Sequence, residues 1–160
     1  KTLNTLVKSF YTYFMKIYLG TDHAGFDLKE KVKDQLILDG YEVVDLGATT
    51  LDMDDDYPDF IRPVAEAVAG DFESKGIIFG ASGQGEAIVA NRTPKARAVV
   101  YYGGNIDIIR LSREHNDANI LSLGARMMPE DEALYAIKMW LETPFSEEER
   151  HVRRLGKIDL

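Results

Sequence analysis

The chain contains no cysteine, which excludes disulfides, a thiolate nucleophile and cysteine-ligated zinc or iron–sulfur centres. A reducing compartment suits such a chain, and a cytoplasmic location is the expectation. Positive charge is also in short supply: 19 Lys and Arg against 27 Asp and Glu leave a formal net charge of −8. That surface lacks the basic footprint nucleic acid requires and is repelled by anionic lipid, so neither is an expected partner. Any anionic ligand must be held by a local cluster of cations. No apolar run approaches the roughly 18 residues of a membrane-spanning helix. What is present, 160 residues at 45% hydrophobic and 29% charged, is the composition of one compact soluble domain with a full-sized core.

Residues 1–14 (KTLNTLVKSFYTYF) are aromatic-rich and only weakly periodic. Met15-Lys16-Ile17-Tyr18-Leu19-Gly20 then reads as a natural start leading into a first strand. The expectation is an upstream extension over 1–14, not native to the fold, and one domain over 15–160. A signal peptide fits poorly, because Lys8, Ser9 and Thr12 interrupt the apolar part and no small-residue cleavage site precedes the strand.

The remainder is organised around Gly76 to Arg92 (GIIFGASGQGEAIVANR). A short apolar run stops at a glycine-rich turn and resumes as Ile88-Val89-Ala90, which predicts strand, loop and helix. Gly80, Ala81, Ser82, Gly83 and Gly85 allow a tight turn with exposed N–H groups, an anion-binding hollow at a helix N-terminus. Glu86 is out of place in a pure phosphate cradle, because its carboxylate would repel the phosphate; it reads instead as a chemical group. The stretch is neither a dinucleotide fingerprint, since Ile88 stands where the third glycine belongs, nor a Walker loop, since Gly-Lys-Ser/Thr is absent. It also fails as a hydrolase turn, because Gln84 occupies the glycine position after the serine. The plain alternative is a glycine turn that merely joins strand to helix.

In chain order, Ile17 to Gly20 predicts a strand, and Leu28, Val32 and Leu36 recur at helical spacing after it. Asp22 and His23 stand at that strand-to-helix edge, where open α/β sheets build their sites. Asp22 equally suits a helix cap, and His23 equally suits packing. Tyr41 to Leu46 predicts a second strand, followed by an acidic loop with Asp52, Asp54, Asp55 and Asp56. The EF-hand glycine and terminal glutamate are missing, so a solvated loop is expected there. Ile61, Val64, Ala65, Val68 and Ala69 mark an amphipathic helix in which Pro63 is tolerable only in the first turn.

Ala96 to Tyr102 predicts a fourth strand, and a helix carrying Ile106, Ile109, Arg110 and Arg113 follows and closes at Arg113 to Asp117. His115 suits either a helix-dipole contact or acid–base work near neutral pH. A fifth strand, Asn119 to Leu123, leads to Gly124-Ala125-Arg126, where Arg126 is a plausible anion ligand. Pro129 opens a helix with Leu134, Ile137 and Leu141 on its buried face. Ser146 and Glu149 have capping-box spacing. They precede a last helix with a basic stripe of Arg150, Arg153, Arg154 and Lys157, which in so acidic a chain points to a phosphate or a partner surface, or else to an ordinary solvated face.

Taken together, Thr21 to Gly25, Asp56-Tyr57-Pro58, Gly80 to Glu86 with Ala90-Asn91, Arg113 to Asp117, Gly124-Ala125-Arg126 and Arg150 to Arg154 resemble ribose-5-phosphate isomerase B and its relatives, which include galactose-6-phosphate isomerase subunits. The resemblance runs from Met15 to about Lys157. Most members carry a catalytic cysteine at the position of Gly80; this chain looks like the subgroup with Gly-Gly-Ser-Gly-x-Gly-Glu, with Ala81 replacing the second glycine. The resemblance implies a three-layer α/β/α sandwich, Rossmann-like, on a five-stranded, mostly parallel sheet.

It further implies aldose–ketose isomerisation of a sugar phosphate through an enediolate, with no metal and no cofactor. Glu86 is then the base, Ser82 with the N–H groups of Gly83 and Gly85 steadies the enediolate, and His115 assists ring opening. Asp22 and His23 lie beside the sugar oxygens, Asn116 belongs to the substrate-binding set, and Arg126, Arg150, His151 and Arg154 bind phosphate. The C-terminal group reaches across a homodimer, or a dimer within a tetramer. The preferred substrate is ribose 5-phosphate. The alternatives are a tetrose or hexose phosphate, or a sugar-phosphate-binding domain without turnover.

Overall fold

The computed structural model describes residues 15–158, so the expectation for residues 1–14 falls outside the described residues. Strand β1 (Lys16–Thr21) is followed by a 3-10 turn (His23–Gly25) and α1 (Phe26–Leu38). Then come β2 (Glu42–Asp45), α2 (Tyr57–Gly70), β3 (Lys75–Gly80) and α3 (Gln84–Ala90). The chain continues through β4 (Ala98–Tyr101), α4 (Asp107–Asn116), β5 (Ile120–Gly124), α5 (Glu130–Glu142) and α6 (Glu149–Leu155). The strands form one sheet in the order β2-β1-β3-β5-β4. Every pairing is parallel, so the sheet expected to be mostly parallel is wholly so.

The alternation of side chains along β3 and β5 sorts the core into two layers. Ile77, Phe79, Leu121 and Leu123 share one apolar cluster with Leu28, Val32 and Leu36 of α1, Ile109 of α4 and Ala133, Ala136, Ile137 and Trp140 of α5. Ile78 and Ile120 share the other with Ile61, Val64, Ala65 and Val68 of α2 and Ala90 of α3. Gly20 and Gly76 are small for a packing reason, since a Cβ on either would press into Val64 of α2. Trp140 is completely buried, with the Arg113 guanidinium 5.7 Å from its ring centre.

Three local expectations differ from the fold. Pro63 lies in the middle of α2, not in its first turn, because the helix begins at Tyr57 and Pro58 takes the first-turn position. The bond Pro63 cannot donate would go to the carbonyl of Asp59, an exposed residue that water can serve. The capping box at Ser146 does not form: α6 starts at Glu149 without a side-chain cap, and the Ser146 hydroxyl lies 2.8 Å from His151 Nδ1 instead. Lys157 falls beyond the end of α6, so the basic stripe on the helix itself is Arg150, Arg153 and Arg154.

Lys29 ties α1 to the end of β2. Its side chain is fully buried, with Nζ 2.6 Å from Asp45 Oδ2 and 2.8 Å from the Ala48 carbonyl. The same segment is laced to β1 through Thr21 N to Gly47 O and Ala48 N to Thr21 O. Because β2 is the neighbour of β1, the loop leaving β2 is delivered to the same sheet edge as Asp22 and His23.

Candidate active site

The chain goes from β1 outward to β2 and then returns past β1 to β3, so the winding reverses between β1 and β3. Open α/β sheets form their binding crevice at this place, beyond the carboxyl ends of the strands. The turn after β1 supplies Asp22 and His23 there, and the turn after β3 supplies residues 80–86. Thr21 joins the two, its hydroxyl donating to the Phe79 carbonyl at 3.0 Å. The turn after β5 joins them as well. Ala125 N donates to Gly80 O at 2.8 Å and Arg126 N to Ala81 O at 3.2 Å, which sets Arg126 beside the glycine-rich loop.

Glu86 is 5% exposed, on the first turn of α3. Its carboxylate occupies the space a side chain at position 80 would need, since a Cβ on Gly80 would fall inside it. A Gly80→Ala substitution is therefore expected to displace the Glu86 carboxylate, cutting kcat by about tenfold or more while leaving thermal stability within about 1 kcal/mol. Steady-state kinetics beside a thermal unfolding curve checks both. Burial raises the pKa of Glu86; a hydrogen bond from its own backbone N–H opposes the rise, and the negative Asp22 nearby adds to it. A carboxylate raised in this way is a stronger base than an ordinary one.

The loop around Glu86 is shaped by two of its glycines. Gly83 has a φ of 77°, the left-handed region where a side chain is strained, and its carbonyl accepts a 2.6 Å bond from the Ser122 hydroxyl. At Gly85 a Cβ would come within 2.9 Å of the Tyr57 hydroxyl, so the phenol of Tyr57 packs directly on the first turn of α3. The Ser82 hydroxyl faces the Gln84 N–H at 3.4 Å.

Asp22 is 7% exposed and caps the 3-10 turn, accepting from Ala24 N at 2.9 Å. The cap reading of Asp22 holds, and its second oxygen lies 4.0 Å from His23 Nδ1. The acidic loop after β2 is not simply solvated. Asp55 turns inward, its Oδ1 accepting from His23 N at 3.0 Å and lying 2.6 Å from His23 Nδ1. Sequence reasoning missed Asp55 and gave Tyr57 no role; the available signal was their place at the start of α2, Asp55 two residues ahead of it and Tyr57 its first residue. Asp22, His23 and Asp55 bring three potential ligand atoms within 4.8 Å of one another. The 2.6 Å between His23 and Asp55 is a hydrogen-bond distance, whereas neighbouring ligands of a tetrahedral ion at about 2 Å stand roughly 3.3 Å apart. A metal would have to prise this pair open.

The other expected site residues are not at this edge. His115 and Asn116 lie in the last turn of α4, which has run back to the edge where the strands begin. Asp117 there pairs with Arg97, just ahead of β4, at 2.8 Å. The rings of His115 and His151 are 4.3 Å apart and tilted by 40°, so α6 with Arg150, His151 and Arg154 stands at this second edge too. His151 is 2% exposed; burial holds it below the usual imidazole range, and His115 beside it pushes the same way. Arg150 pairs with Glu148 at 2.8 Å, whereas Arg126 and Arg154 have no ion-pair partner among the described residues. The expected site residues therefore fall into two groups on one chain: Asp22, His23, Ser82, Gly83, Gly85, Glu86 and Arg126 at one edge of the sheet, and His115, Asn116, Arg150, His151 and Arg154 at the other.

Residues 17–158 match the profile of the family described as Ribose/Galactose Isomerase. A ribose-5-phosphate isomerase B of Mycolicibacterium paratuberculosis is 41% identical over 141 residues, covering 88% of this chain and 87% of that protein. Among solved structures, ribose-5-phosphate isomerase B of Clostridium thermocellum superposes with a TM-score of 0.85 at 45% identity, covering 91% of this chain and 95% of that one. The Mycoplasma genitalium enzyme, solved with bound ribulose-5-phosphate, gives 0.86 at 32% identity, covering 91% of this chain and 94% of that one. Similarity of this extent, over a shared fold and nearly the whole chain, places the protein in the ribose/galactose isomerase family.

Proposed function

We propose that the chain is an aldose–ketose isomerase that interconverts ribose 5-phosphate and ribulose 5-phosphate, with Glu86 as the base. The observation that carries this reading is the buried Glu86 carboxylate, seated over Gly80 at the sheet's switch point in a chain otherwise similar to ribose-5-phosphate isomerases B. Isomerisation moves a proton between C1 and C2 through an enediolate, and it requires a base, donors for the developing oxyanion and a grip on the phosphate. Glu86 takes the proton from one carbon and returns it to the other. Ser82 and the N–H groups of Gly83 and Gly85 donate to the enediolate oxygens, and Asp22 and His23 hold the neighbouring sugar oxygens.

The second half-site comes from another copy of the chain. In a homodimer, His115 of one copy assists opening of the furanose ring held by the Glu86 half-site of the other, and Asn116 binds sugar oxygens. Arg150, His151 and Arg154 join Arg126 around the phosphate. That assembly supplies the cations an acidic chain lacks elsewhere, and in it His151, held below the usual imidazole range by burial, adds a hydrogen bond beside the arginines.

The reading is tested by assaying the purified chain, without added metal, on ribose 5-phosphate beside tetrose and hexose phosphates. Turnover of the pentose supports it; turnover of another sugar alone keeps the mechanism and changes the substrate. Arg154→Ala is expected to raise KM by roughly tenfold to a hundredfold, the loss of one charge-assisted contact, with little change in kcat. A fall in kcat at constant KM would remove Arg154 from the phosphate.

A further inference from the structure

Asp55 is absent from every role assigned above, yet its contacts are those of a working group. Its side chain is 7% exposed, unusual for an aspartate in a run of otherwise exposed acids. One oxygen, Oδ1, accepts from the backbone N–H of His23 at 3.0 Å and meets the His23 ring at Nδ1 at 2.6 Å. The other, Oδ2, is buried without a hydrogen-bond partner, so no other donor draws the carboxylate away from the imidazole. A carboxylate in its ionised form only accepts hydrogen bonds, so it pairs with a ring nitrogen that carries a proton. Asp22 does not compete: its Oδ1 is engaged by Ala24 N, and its Oδ2 is 4.0 Å from Nδ1.

We propose that Asp55 is a positioning residue that fixes His23 as the Nδ1–H tautomer, leaving Nε2 to accept a hydrogen bond from a hydroxyl of the bound sugar phosphate. This rests on the isomerase reading for the ligand, but the tautomer itself is a property of the free protein. In water a neutral imidazole favours the opposite form, with the proton on Nε2, and the tautomer in a protein is set by what the other nitrogen bonds. His23 is on the turn directly after β1 and keeps 22% of its side chain exposed, so the ring is held at one end and open at the other. Its Nε2 has no partner among the described residues. With Nε2 bare, the ring requires a donor such as a hydroxyl there; with Nε2 protonated, it would donate to any oxygen acceptor.

The test is nitrogen-15 NMR of the full chain with labelled histidine at neutral pH. The chain has three histidines, and a His23→Gln variant identifies the signals of His23. The expected result is a protonated Nδ1 and a bare Nε2 for His23 in the free protein. Adding ribose 5-phosphate should shift the Nε2 signal, and Asp55→Ala should move His23 toward the Nε2–H form and lower kcat by about a hundredfold, as for a misplaced contact group. An Nε2–H tautomer in the unaltered protein overturns the proposal, as does an Asp55→Ala protein with its tautomer unchanged. An Nε2 signal that ignores saturating ribose 5-phosphate overturns the ligand contact. Should Asp55→Ala fail to fold, the tautomer of the unaltered protein decides. Absence of turnover by the unaltered chain would count against the isomerase reading and leave the free-protein tautomer result standing.

Discussion

Replacing Glu86 by Gln is expected to lower kcat for ribose 5-phosphate by roughly 10²- to 10⁴-fold, the usual worth of a positioned general base. KM should change little. The amide has nearly the shape of the carboxylate and fits the same space over Gly80, so folding should not suffer; burial of a neutral group there is easier than burial of a charge. In the proposed mechanism the working form of Glu86 is the deprotonated one, and burial raises its pKa with Asp22 adding to the effect. The acid limb of kcat/KM should consequently lie above the ordinary carboxylate range, with activity lost as pH falls through it. Asp22→Asn removes one cause of the rise and should move that limb to lower pH. A pH–rate profile of the two proteins checks the direction.

The second large effect concerns the proposed division of the site between copies. Glu86→Gln leaves the half-site at the second edge intact, whereas a His115→Ala, Arg154→Ala double variant leaves the Glu86 half-site intact. Each homodimer alone should be nearly inactive. When the two are unfolded together and refolded as a mixture, half of the dimers are hybrids and each hybrid holds one unimpaired site. About a quarter of the unaltered activity should return, as symmetric sharing of an interface requires. If both half-sites served one substrate within a single chain, mixing would restore nothing. The experiment is independent of which sugar phosphate is turned over, because it reads only whether defects on different chains complement each other.

The two-edge arrangement follows from chain order, and part of it was legible. Asp22, Glu86 and Arg126 follow strands, whereas His115 and Asn116 precede one; in a parallel sheet, turns after strands and turns before strands lie at opposite ends. The five strands and the helices between them were readable because apolar runs such as Ile77-Ile78-Phe79 are bounded by glycine. The strand order was not, since nothing local dictates that β5 inserts between β3 and β4. Asp55 was hidden by its acidic neighbours, Asp52, Asp54 and Asp56, because composition alone cannot show which member of a charged run turns inward. That was decided by the neighbourhood of β1 and β2. Pro63 misled in the other direction: the helix rule is sound, but the helix begins six residues before it, and a water-accessible carbonyl reduces the penalty. Ser146 matched a cap by spacing, yet the nearby imidazole of His151 took its hydroxyl.

The central claim is that a proton passes between C1 and C2 by way of Glu86. It is tested most directly by incubating the purified protein with ribulose 5-phosphate in deuterium oxide and following the sugar by proton NMR. A carboxylate base that exchanges its proton with solvent during the enediolate's lifetime puts deuterium on C2 of the ribose 5-phosphate formed and on C1 of the recovered ketose. The account predicts that deuterium appears with the unaltered chain and fails to appear with Glu86→Gln. Deuterium incorporation at an undiminished rate in Glu86→Gln would contradict it and assign the base elsewhere.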